Sequence, residues 1–170
     1  MRASNLKALP VWTLVGAVLV LFGQFAAAQG PGAKLVGTWE VLVTQVDCTS
    51  GTPLGPSFPS LLTFTKGGTM AEDTSNPAFG HGQRSAGQGT WTSASSSSYG
   101  ARSMALIKYT TQPNAKTHNP GFEAGQQTIT QNISYDAGSD EWSSTAAVIS
   151  TDLTASVYRQ GCATAKAQRF

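Results

Sequence analysis

Charge is scarce in this sequence, and residues equipped for chemistry are scarcer. Only 12% of the 170 residues are Asp, Glu, Lys or Arg, eleven basic against nine acidic. No basic run or basic–aromatic patch is present, so the footprint that grips nucleic acid or an anionic membrane is missing. Two histidines, His81 and His118, and two cysteines, Cys48 and Cys162, are the only borderline or soft metal ligands, and no HxH, HxxxH or CxxC spacing joins them. There is no G-x-S-x-G, no P-loop, and no G-x-G-x-x-G between a strand and a helix. No cofactor, metal or catalytic residue is therefore expected. Helical spacing of apolar residues never persists beyond two turns after residue 28, which argues against a bundle or an α/β fold.

What is present begins with the pattern of an export signal. Arg2 and Lys7 precede an apolar run from Val11 to Phe25, and Ala26-Ala27-Ala28 supplies small residues for cleavage before Gln29. The alternative is a retained anchor, but the run is shorter than the roughly 20 residues that span a bilayer. The expected layout is a signal peptide over 1–28, a flexible segment over 29–34 and a single domain over 35–170. Loss of Arg2 and Lys7 leaves nine basic and nine acidic residues, a neutral chain for which neither nucleic acid nor membrane is an expected partner. Its expected location is secreted or periplasmic. In an oxidising compartment Cys48 and Cys162 allow one intramolecular bridge, tying the early chain to its last residues; free or intermolecular thiols are the alternative.

The remainder reads as short Val-, Ile-, Thr- and aromatic-rich segments separated by Gly, Pro, Asn and Ser clusters, the mark of an all-β domain. Eight strands are expected, near 37–47, 60–66, 69–74, 85–95, 101–111, 127–136, 141–151 and 155–160. Short connections between most of them suit an eight-stranded antiparallel up-and-down barrel, which has no free edges. A Greek-key β-sandwich gives a similar count. Polar residues within the strands, such as Ser103, Thr128, Thr130 and Asn132, suit either a lined interior or a solvated outer face.

The most informative local motif is Gly37-Thr38-Trp39 at the start of the first strand. It resembles the G-x-W opening of lipocalins and of the wider calycin group, which includes avidin-like barrels. The resemblance implies that Trp39 plugs one barrel end and that an arginine near the end of the last strand lies across its ring, with Arg159 on the strand and Arg169 in the tail as candidates. The T-D-Y motif of lipocalins has no counterpart; the nearest match, Thr151-Asp152-Leu153, lacks the tyrosine. A compact calycin-like relative is the better description.

Period-two alternation groups the inward candidates. Trp39, Val41, Val43 and Gln45 share a face, as do Leu62 with Phe64 and Met70 with Glu72. A second G-T-W, at Gly89–Trp91, places Trp91 either in the core or in a ligand wall. The proposed lining is Phe64, Met70, Glu72, Trp91, Tyr109 and Trp142, and a packed core would give the same set. The polar stretch from Glu72 and Asp73 to His81 and Arg84 reads as a solvated loop sooner than a cation or acid–base site.

Three functions follow. The first is an exported calycin-like barrel binding a small apolar ligand through loops 75–84 and 112–121, with an interior of a few hundred Å³. The second is a solid-core structural or interaction module. The third is an isomerase or cyclase similar to dirigent-like and allene-oxide-cyclase-like barrels, which needs Glu72 facing an apolar interior with a raised pKa.

Overall fold

A computed structural model describes residues 34–117 and 119–170. The expected signal peptide, residues 29–33 of the entry segment and His118 lie outside the described residues. Eight strands follow in order: β1 (Gly37–Val46), β2 (Phe58–Phe64), β3 (Thr69–Thr74), β4 (Gly87–Ser93), β5 (Ser98–Ile107), β6 (Gly125–Asp136), β7 (Glu141–Asp152) and β8 (Val157–Arg169). Each pairs antiparallel with the next, and β8 returns to β1, so the sheet closes into an up-and-down barrel. A 3₁₀ turn, Ala115–Thr117, sits in the β5–β6 connection.

The pairing register fixes how the strands lean. Partners step from Gly37 through Phe64, Met70, Gly89, Ser103, Ile129, Val148 and Gly161. Continuing the β1–β8 register by one pair brings Gly161 opposite Asp47, ten positions along β1 from the start. For eight strands such a stagger means a tilt of roughly 40° and a bore that side chains just fill, or that holds one small ligand.

Alternation decides what fills it. Trp39 and Val41 of β1, Ser60, Leu62 and Phe64 of β2, and Met70 and Glu72 of β3 are buried, while Leu42, Leu61 and Asp73 between them are exposed. On β5 Ser103 points in, whereas Thr130 and Asn132 on β6 point out and Thr128 is half-buried. One end of the barrel is packed solid. There Trp39, Phe64, Trp91, Tyr99 and Trp142 meet edge to face at ring separations of about 6 Å, a geometry that suits the aromatic quadrupole.

Strands β8 and β5 differ most from expectation. β8 runs to Arg169, nine residues beyond the expected end at Gln160; its pairing with β1 continues as far as Trp39–Arg169, and Ala163, Ala165 and Ala167 take the inward positions. β5 begins at Ser98 and stops at Ile107, since the chain beyond turns to cover the barrel end. Cys48 and Cys162 form a disulfide with Cα atoms 5.1 Å apart.

Candidate functional site

The barrel's two ends are built from different connections. Tight turns after β2, β4 and β6 lie at the packed end, together with the entry residues Lys34–Val36. The long loops 47–57, 75–86 and 108–124 and the turn 153–156 gather at the other end, the mouth.

At the packed end the Trp39 indole N–H donates to the Leu35 carbonyl at 2.9 Å. The Arg169 guanidinium lies 4.2 Å from the Trp39 ring centre and donates to the carbonyls of Val36 (3.0 Å) and Lys34 (2.9 Å). Register puts it there, because Arg169 is the pairing partner of Trp39. Gly37 makes room for it: its φ of 138° lies outside the range most residues adopt, and a Cβ would come 2.7 Å from Arg169 Nη1. The same guanidinium donates to both oxygens of Asp140 at 2.7 and 2.9 Å. Hydrogen bonds from Arg169, then from the Tyr135 hydroxyl, lower the Asp140 pKa to about 2. The hydrogen bond to Asp140 in turn raises the Tyr135 pKa and that of Arg169. Of the two candidate arginines, then, Arg169 holds the tryptophan. Arg159 is on β8 near the mouth, 4.8 Å from the Phe122 ring centre and donating to the Pro120 and Gly121 carbonyls.

Toward the mouth the inner face stops filling itself. Ser144 and Ala146 of β7 and Ala163 and Ala165 of β8 are short, and on the inner wall they share with Val41, Val43 and Leu62 a cavity of about 80 Å³ remains. Its wall alternates apolar and polar groups along β6, where Gln127, Ile129 and Gln131 face inward. The cavity is smaller than the few hundred Å³ expected. The expected lining is displaced too. Of the six residues only Glu72 borders the cavity. Phe64, Met70, Trp91 and Trp142 are consumed in the packed end, where the indole N–H of Trp91 donates to the Thr65 carbonyl at 3.0 Å. Tyr109 lies beyond β5, partly exposed, its hydroxyl donating to the His81 carbonyl at 2.6 Å.

No protein-family model and no curated protein matches the chain.

Glu72 points inward as its parity with Met70 implies, yet not into apolar surroundings. Arg84, only 5% exposed, donates to its Oε1 at 2.8 Å, and the Ser103 hydroxyl donates to its Oε2 at 3.0 Å. Gly87, its partner on β4, leaves room for that carboxylate; a Cβ would sit 2.9 Å from Oε2. Arg84 Nε also donates to Gln127 Oε1 at 2.7 Å. The lone carboxyl that an isomerase or cyclase needs is therefore a paired one here. Asp73 lies on the opposite face of β3 and His81 is exposed on its loop, so neither converges on Glu72.

Beside this network the loops form a lid over part of the mouth. Phe79 and Phe122 stack at 4.2 Å, between Arg84 on one side and Arg159 on the other. Gln83, fully buried, accepts from the Gly80 N–H (2.8 Å) and donates to the Tyr109 carbonyl and the Thr111 hydroxyl (both 3.0 Å), which ties the two long loops together. The sequence singles out Arg84 only as one residue of a polar loop, and gives no sign of Gln83, Phe79, Phe122, Gln127 or Gln131. Loop positions carry no period, and a glutamine within a strand reads as a solvated residue.

Proposed function

We propose that this chain is an exported, calycin-like barrel that binds a small, largely apolar molecule in the mouth-end cavity. The observation that carries this reading is the cavity itself: short side chains on β7 and β8 share the inner wall with valines and a leucine and leave space between them. Interiors are normally filled to crystal-like density, so space bounded by apolar and a few polar groups is the usual form of a binding site. Two features support the exported, calycin-like part. One is the Cys48–Cys162 disulfide, a bond that belongs to oxidising compartments. The other is the pairing of Trp39 with Arg169, the arrangement implied by the G-x-W opening.

The test is nuclear magnetic resonance of the mature domain titrated with xenon and with dissolved butane. Backbone signals of Val41, Val43, Ile129 and Val148 are expected to shift in a saturable way, with those of the packed end unmoved. If neither probe shifts them, and the protein instead self-associates with concentration, an interaction module using the exposed outer-face side chains Met104, Leu106 and Val157 takes its place.

A further inference from the structure

The polar atoms of the cavity narrow the chemistry of what it holds, given the binding reading above. Gln127 and Gln131 both border the cavity and are more than nine-tenths buried. The orientation of the Gln127 amide is fixed by chemistry: the Arg84 Nε–H can only donate, so the amide oxygen must face it. That turns the Gln127 amino group the other way, and its Nε2 has no hydrogen-bond partner among the described residues. Gln131 pairs with the Ser144 hydroxyl at 3.2 Å; a hydroxyl both donates and accepts, so this bond allows either end of the Gln131 amide to face the cavity. These amino groups are reachable through the cavity; among the described residues the fully buried polar side-chain atoms that lack a partner are Trp142 Nε1 and Ser150 Oγ. Gln127 does not need its donor to hold the barrel together, since its oxygen is engaged by Arg84. That donor is left for something that enters the cavity, with Gln131 on the same wall able to turn a second donor toward it.

The charges nearby set the sign of the partner. Glu72 borders the same cavity, so an entering carboxylate would meet a like charge whose only compensation, Arg84, is already spent on Glu72 and Gln127. An entering ammonium would have to sit against the fixed N–H donor of Gln127. A neutral oxygen acceptor meets neither objection, and the aliphatic wall of Val41, Val43, Leu62, Ile129 and Val148 suits a short hydrocarbon body.

We infer that the ligand is a small neutral compound bearing a carbonyl or hydroxyl oxygen, received by the side-chain amides of Gln127 and Gln131. The experiment compares butanone, butane, butyrate and butylamine against the mature domain by resonance titration, following the side-chain amide signals of both glutamines. Butanone is expected to bind most tightly and to move both amide signals, while butane moves backbone signals of the wall only. Gln131→Met is expected to weaken butanone about fivefold, the worth of one hydrogen bond, and to leave butane unchanged. Should that variant fail to fold, the amide signals of the unaltered protein decide alone. Butane binding as tightly as butanone, tighter binding of butyrate or butylamine, or unmoved amide signals under bound butanone would overturn the oxygen-acceptor inference while leaving ligand binding in place. Binding of none of the four overturns both.

Discussion

At Arg169 a single guanidinium serves the face of an indole, two backbone carbonyls and a carboxylate. Its pairing with Asp140 gives the fold a defined acid sensitivity. The Asp140 pKa is lowered to about 2 in the folded state, against an ordinary value near 3.9. A lowered folded-state value means that the pair contributes fully above about pH 4 and is lost as pH falls from there toward 2. Urea midpoints should therefore decline over that window, and Asp140→Asn should remove part of the decline while lowering stability at pH 6. An unchanged pH profile in the variant would contradict the assignment. Arg84 and Glu72 make a different kind of pair, because both side chains are buried. Removing one partner strands the other charge in the bore. Arg84→Met should thus cost about 3–5 kcal/mol, and combining it with Glu72→Leu should recover much of that loss. Urea unfolding of the single and double variants checks both parts; a double variant no better than Arg84→Met would show that lost packing, not stranded charge, sets the cost.

At the scale of elements, what could be read from the sequence was what repeats or stays local. Strand β3 was legible to the residue because Met70 and Glu72 alternate with exposed neighbours and Gly67-Gly68 makes the turn before it. The inward face of β1 was legible for the same reason. G-x-W was legible because its two residues act within one turn of chain. Its arginine was not: Arg159 and Arg169 are both on β8, and only the register, which sets Trp39 opposite Arg169, distinguishes them. The end of β8 was missed because alanines carry little strand preference; what continues the strand is its pairing with β1, a property of the closed barrel and not of the segment. The same limit hid the cavity. Aromatic residues drew attention as a ligand wall, yet their bulk fills the packed end, and the space opens where side chains are short. Glu72 could be placed by parity, while its partner Arg84, in an aperiodic loop, could not.

Among the described strands one pairing is not between sequence neighbours, the β1–β8 seam that closes the barrel. It is pinned at both ends. Arg169 clasps Trp39 at the packed end, and the Cys48–Cys162 disulfide spans the mouth end, next to the Val46–Cys162 pair. The two pins act by different physics. The disulfide, closing 114 residues of chain, works largely by restricting the unfolded ensemble, and its loss through Cys48→Ser with Cys162→Ser should cost roughly 4–5 kcal/mol. The arginine stabilises the folded barrel directly, and Arg169→Ala should cost about 1–2 kcal/mol from the ring contact and carbonyl bonds. Seven strand positions separate Trp39 from Val46, about 23 Å at the usual rise. At that range, with no shared partner, the two losses should add to within about 0.5 kcal/mol. Urea unfolding of the disulfide variant, Arg169→Ala and their combination measures this. A combined loss well beyond the sum would mean that the seam parts as one cooperative unit, so that either pin alone suffices to keep the barrel closed.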